Sequence, residues 1–177
     1  MPHIHTKPGQ HDHTASAYII RLDLAEPVLV LHRHKILGKY LQFGGHIELN
    51  ENPWQTIAHE LIEEGGYELK RLKILQPKRV LRKLSGVVLH PQAVYHLTHQ
   101  FSDTHFHTDL GYAFTAIGPP SQLPAKGEST DIINVTQAEL VTLSSTEIFN
   151  STREVGLFIF NTILKEWEAV DTDQFIL

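Results

Sequence analysis

The stretch GGHIELNENPWQTIAHELIEEGGYEL, residues 44–69, holds six glutamates and two Gly-Gly steps. Inside it Trp54, Ile57, Ala58, Leu61 and Ile62 recur at the spacing of one helical face over Pro53 to Glu64. At about 100° per residue, Glu60, Glu63 and Glu64 then share a stripe turned away from Trp54, Ile57, Leu61 and Ile62. Like charges three and four residues apart oppose a helix by a few tenths of a kcal/mol per pair, and crowded carboxylates resist joint ionisation. A hard divalent cation, Mg²⁺ or Mn²⁺, relieves that conflict, because it prefers oxygen ligands and shares them with substrate phosphates. The chemistry suggested is phosphate chemistry. A solvated glutamate-rich face is the alternative that the helix alone leaves open. Against it stands the surrounding order: a glycine step, Glu48 and Glu51, the carboxylate stripe, and a second glycine step.

The elements that must position this stripe have local signals. Asn52 is a good N-cap, Pro53 suits the first helical position, Gln55 completes a capping box, and Gly65-Gly66 can stop the helix. Upstream, SAYIIRLDL and PVLVLHRHKI read as strands separated by the turn-like AEP, and GKYLQFGG leads into the glutamates. Downstream, LKILQPKRVL, VVLHPQAVYHLTHQF and HFHTDLGYAFTAI read as strands. The loop GPPSQLPAKGES, the strand DIINV and a short helix capped by Thr136 and Glu139 follow. STREVGLFIFNTILKEWEAV reads as a terminal helix with Val155, Phe158, Ile159, Ile163 and Trp167 on one side. This order predicts an α+β layered domain spanning residues 1–177, with a solvated His-rich segment over 1–15.

Composition narrows the function classes. The chain has 177 residues, 41% apolar and 20% charged, the proportions of one folded domain. A formal charge of −5 offers no basic field for a nucleic-acid duplex. Cysteine is absent, which removes disulfides, thiolate zinc sites and thiol nucleophiles. No apolar run approaches a membrane span, and a cytoplasmic protein is expected.

The glutamate stretch resembles the signature of the Nudix hydrolases: Gly, five residues, Glu, seven residues, Arg-Glu-aliphatic, one residue, Glu-Glu, one residue, Gly-aliphatic. Gly45, Glu51, Glu60, Leu61, Glu63, Glu64 and Gly66 match in register. Tyr67 replaces the last aliphatic residue, His59 stands where the family has arginine, and LQFGG lacks the proline often found before the glycines. The resemblance implies an α/β/α sandwich with a mixed central sheet and a loop-helix-loop metal site. It further implies Mg²⁺- or Mn²⁺-dependent hydrolysis of a pyrophosphate bond in a nucleoside diphosphate linked to another moiety.

On that resemblance Glu60 and Glu64 are the leading metal ligands, the Gly45 carbonyl is a backbone ligand, and Glu63 is a further ligand or the base. Glu128, in the loop AKGESTDIINV, is the candidate for one more catalytic carboxylate, with Asp131 its competitor. Arg33, just past the second strand run, is placed to meet a substrate phosphate. In HFHTDLGY, His105, His107 and Asp109 share one face of a strand. His107 and Asp109 are expected to line the substrate pocket; a structural polar face and a separate transition-metal site are the other readings. His59 is shorter than arginine and only partly charged, so it is expected to be a weaker clamp, with a pKa raised by nearby carboxylates. It also supports the rival reading, a nucleotide-binding or regulatory module with little catalysis. Substrate identity stays open among ADP-ribose, oxidised nucleotides and dinucleoside polyphosphates, and many relatives are homodimers.

Overall fold

Thr14–Ile20 is buried at every position, and it forms the middle of the central strand β1 (His11–Arg21). A strand covered on both faces needs an unbroken run of small and apolar residues. The computed structural model describes residues 6–175. The remaining strands are β2 (Val28–Arg33), β3 (Tyr40–Leu41), β4 (Phe43–His46), β5 (Lys73–Gln76), β6 (Tyr95–Ser102), β7 (His105–Ala116), β8 (Ile132–Thr136) and β9 (Glu168–Asp171). They run in the order β3-β2-β1-β7-β5-β9, with β4 joined to β1, β6 to β7 and β8 to β2. β1 and β7 pair in parallel and β1 and β2 antiparallel, so the sheet is mixed.

Alternation along β1 sends Ala15, Ala17 and Ile19 to one face and Tyr18 and Ile20 to the other. On the first face they meet Trp54, Ile57 and Leu61 of helix α1 (Pro53–Gly65), together with Tyr112 and Phe114. On the second they meet Leu140 of α2 (Gln137–Thr142) and Ile159, Phe160 and Ile163, which follow α3 (Asn150–Phe158). The expected α/β/α sandwich is the fold.

Local signals set α1 and α2. The Asn52 side chain accepts from the amides of Trp54 and Gln55 at 2.9 Å each, and Gln55 Oε1 accepts from the Asn52 amide at 2.9 Å. Thr136 and Glu139 make the same reciprocal pair. Gly66 ends α1 at φ 69°, a left-handed position where a Cβ would also overlap the Gln122 carbonyl oxygen.

Four expectations need correction. His11, Asp12 and His13 belong to β1, whose ladder to β7 begins at His11–Phe106; His11 and His13 are exposed as expected, but Asp12 is buried; His3 and His5 lie outside the described residues. The parts of the expected strands that fall at 77–81 and 87–94 belong instead to one extended loop over 77–94, with Leu81, Val87 and Val88 exposed. The terminal helix passes through a π turn at Ile159–Ile163 and ends with Leu164–Glu166. That turn rotates the apolar stripe, leaving Phe158 46% exposed while Phe160 is buried. Glu168–Asp171 pairs instead with β5, whose backbone groups need that partner. On α1, Ile62 is 38% exposed and Glu64 only 9%, so Glu64 lies toward the buried side rather than opposite it.

Candidate active site

α1 and β4 bring the carboxylates against backbone. Glu64 Oε2 accepts a 2.9 Å hydrogen bond from the Gly44 amide and lies 3.5 Å from His32 Nε2. Glu60 lies over Gly45 so closely that a Cβ there would overlap its Oε1. The Gly-Gly step therefore serves two ends: Gly44 donates to one glutamate, and Gly45 leaves room for the other.

Burial, and after it the charges of neighbouring carboxylates, governs the acidity of this pair. Glu60 is pushed up to about 7 by burial, opposed by His59 and reinforced by Glu63, Glu128 and Glu51. Glu64 is raised well above its ordinary value by burial and then by Glu60, with the Gly44 hydrogen bond opposing. His32 is held down to about 4, chiefly by burial and then by His34, so its ring is neutral beside Glu64.

His59, at the signature position where the resemblance has arginine, contacts two carboxylates. Its Nε2 is 3.0 Å from Glu63 Oε1, and its Nδ1 is 3.5 Å from Glu51 Oε1. Thr56 Oγ1 donates to the other Glu51 oxygen at 2.9 Å. Burial lowers the His59 pKa, but the bond to Glu63 and the charges of Glu63, Glu60 and Glu51 outweigh it, and the net shift is upward.

The loop after β7 closes the C-terminal end of α1. Ser121 and Gln122 amides donate to the Gly66 carbonyl at 3.0 and 3.3 Å, and the Ala125 amide donates to the Glu63 carbonyl at 2.7 Å. These bonds satisfy carbonyls that a helix end leaves open. They also bring Glu128 near enough to raise both Glu60 and Glu64. Glu128 is held by Lys35 Nζ at 2.9 Å. Asp131, its competitor, is committed elsewhere: it accepts from Tyr40 Oη at 3.0 Å and lies 3.8 Å from Arg33 Nη1. Arg33 is half exposed and stacks over Tyr40 at 5.7 Å.

His107 and Asp109 depart from the substrate-lining expectation. β7 residues Tyr112 and Phe114 face α1, whereas Ala113 faces the second layer, and odd positions follow Ala113. His107 and Asp109 therefore sit across the sheet from the glutamates. Asp109 is buried, with Oδ1 accepting from Thr14 and Ser16 hydroxyls at 2.7 and 3.2 Å and Oδ2 from Tyr95 Oη at 2.8 Å. It is a satisfied interior carboxylate.

The sequence reading missed His32, Asp12 and His46. The only signal for His32 was an imidazole within the apolar run VLVL before it, which ordinarily marks a core histidine. Its approach to Glu64 depends on sheet order.

A divalent ion fits the donor set. Glu64 is buried and Glu60 half-buried, the two are crowded and hard to ionise together, and the Gly45 backbone lies beside Glu60.

Comparison with known proteins agrees with this geometry. The Nudix domain family profile matches residues 12–147. A Nudix-family hydrolase from Clostridium perfringens is 27% identical, with a TM-score of 0.69 over 82% of this chain and 93% of that one. The Ap4A hydrolase of C. elegans shares the fold at 15% identity and a TM-score of 0.64, covering 86% and 97% of the two chains. So does the Nudix domain of Shewanella oneidensis NrtR, crystallised with ADP ribose, at 13% identity and a TM-score of 0.54 over 84% and 86%. With its signature glutamates gathered on α1 against β4 and the family profile spanning most of its length, the chain belongs to the Nudix family.

Proposed function

We propose that the protein is a Mg²⁺- or Mn²⁺-dependent hydrolase that cleaves a pyrophosphate bond in a nucleoside diphosphate linked to another moiety. The observation carrying this reading is the packing of Glu60 and Glu64 against the Gly44–Gly45 backbone with Glu128 and Glu63 alongside. Glu60, Glu64 and the Gly45 carbonyl would hold the ion, with Glu63 as a further ligand. When bound, the ion supplies positive charge to the phosphate oxygens and acidity to the attacking water. The chain's own part is positional. The Gly44 amide and the neutral His32 ring orient Glu64, and His59 ties Glu63 to the loop carboxylate Glu51. In this reading Glu128, on its loop, takes the water proton, and Glu63 is the other carboxylate available for that step. Arg33, half exposed at the end of β2, is the residue proposed to meet a substrate phosphate.

The test is release of phosphate or nucleotide from a panel of nucleoside diphosphate derivatives with Mg²⁺ or Mn²⁺. Glu64→Gln and Glu63→Gln are expected to lower kcat by about a hundredfold or more. Comparing Glu128→Gln with Glu63→Gln identifies the proton acceptor. Nucleotide affinity without turnover in the wild-type protein would support the binding-module reading instead.

A further inference from the structure

Across the sheet from α1, four side chains that the glutamate site does not use converge. β1 and β7 pair Asp12 with His107 and Thr14 with Asp109, on the face that also carries Tyr18 and Ala113. β4 brings His46 opposite Thr14, one residue after Gly45 and therefore on the other side of the strand. The ligand-capable atoms of His46, His105 and His107 all lie within 4.8 Å of one another. His105 Nε2 and His107 Nε2 are 2.9 Å apart, and Asp12 Oδ2 lies 3.4 Å from His105 Nε2 and 3.9 Å from His46 Nε2.

One further observation points to a ligand. Asp12 is 3% exposed, and its Oδ2 accepts no hydrogen bond among the described residues although it is aimed at the imidazoles. A buried carboxylate oxygen left so is costly. Phe101 closes the cluster, stacked on His107 at 4.9 Å and edge-on to His105 at 5.9 Å.

We propose that Asp12, His46, His105 and His107 form a second metal site, closed and structural, for a borderline divalent transition ion of the Zn²⁺ class. Tetrahedral bonds of about 2.0–2.1 Å place neighbouring donors about 3.3 Å apart; the three imidazoles lie within 4.8 Å of one another, two of them at 2.9 Å, and Asp12 Oδ2 stands beside them at 3.4 and 3.9 Å, so binding an ion draws the set together. Three imidazoles select such an ion over Mg²⁺, which takes oxygen ligands. Four protein donors under an aromatic cover leave no open position, the mark of a structural rather than a catalytic site. The ion joins three strands at one end of the sheet. Because His46 follows Gly45 directly, it also fixes the strand whose amide donates to Glu64. The site does not depend on the hydrolase reading.

The probe is Co²⁺ followed by Zn²⁺ competition, in saturating Mg²⁺ and on a His3→Ala, His5→Ala background that removes the terminal imidazoles. One equivalent of Co²⁺ is expected to bind with the intense visible bands of a tetrahedral site and to be displaced by Zn²⁺. His107→Ala and His46→Gln are expected to weaken binding at least about tenfold, while a Glu60→Gln, Glu64→Gln double variant retains it. Absence of the bands together with absence of retained zinc, unchanged affinity in His46→Gln, or loss in the glutamate variant would each overturn the proposal. Should His107→Ala fail to fold, anomalous diffraction at the zinc edge on the parent protein decides independently: a peak among the four side chains supports the site, and none refutes it.

Discussion

His59 shows how much one side chain changes while a site keeps its form. A guanidinium grips two carboxylates with a permanent charge; here an imidazole spans Glu63 and Glu51 with its two nitrogens at 3.0 and 3.5 Å. Its pKa is raised, so the charged ring is present at low pH and is lost as pH rises through the elevated value. The pairing is therefore strongest on the acid side. His59→Arg is expected to hold kcat/KM steady toward pH 9 where the wild-type value declines, and His59→Ala to lose about tenfold, or about 1.4 kcal/mol, near neutrality. Superimposable pH profiles of the wild-type and arginine proteins from pH 6 to 9 would show that the substitution is silent.

At the scale of elements, α1 is an instrument for aiming carboxylates, and its caps decide the aim. The Asn52 side chain satisfies two first-turn amides, so Asn52→Ala is expected to cost about 1 kcal/mol. For a chain of this size that lowers Tm by about 2–4 °C, measurable by calorimetry. At the other end Gly66 admits the loop that delivers Glu128, where a Cβ would overlap Gln122. These caps were legible in the sequence because capping is local chemistry: Asn52 and Gln55 are three residues apart, and the Gly66 amide bonds the Ile62 carbonyl four residues back. The terminal helix was legible only in part. Glu168 and Ala169 are good helix formers, yet they pair with Gln76 and Leu75 because an edge of the sheet needs them.

At the scale of the whole molecule, the sheet separates two polar centres: the glutamates on the α1 face and the Asp12–histidine cluster on the other. The first makes a prediction about stability without metal. Glu60 titrates at about 7 in the folded protein against 4.5 as an ordinary side chain, and Glu64 is raised as well. A raised folded value means that the native state holds the proton longer. The contribution is complete below about 4.5 and is lost as pH rises through about 7. Metal-free protein is therefore expected to lose stability between pH 6 and pH 8, and Mg²⁺ or Mn²⁺ to raise Tm by more at pH 8 than at pH 6. Equal metal-induced shifts at the two pH values, read by thermal denaturation with and without chelator, would contradict this. No helix among the described residues is long and apolar enough to cross a membrane.

Spacing along the chain by itself determined the glutamate helix, its caps, the family signature and the position of Glu128 in a loop, since each depends on neighbours in sequence or on a fixed motif. Only the tertiary structure decided which carboxylates are buried, that His32 stands beside Glu64, and that His107 and Asp109 turn away from the glutamates. It also decided that Asp12 and His46 join His105 and His107 from strands 30 or more positions apart, because strand order and parity, rather than proximity in the chain, choose which residues share a face.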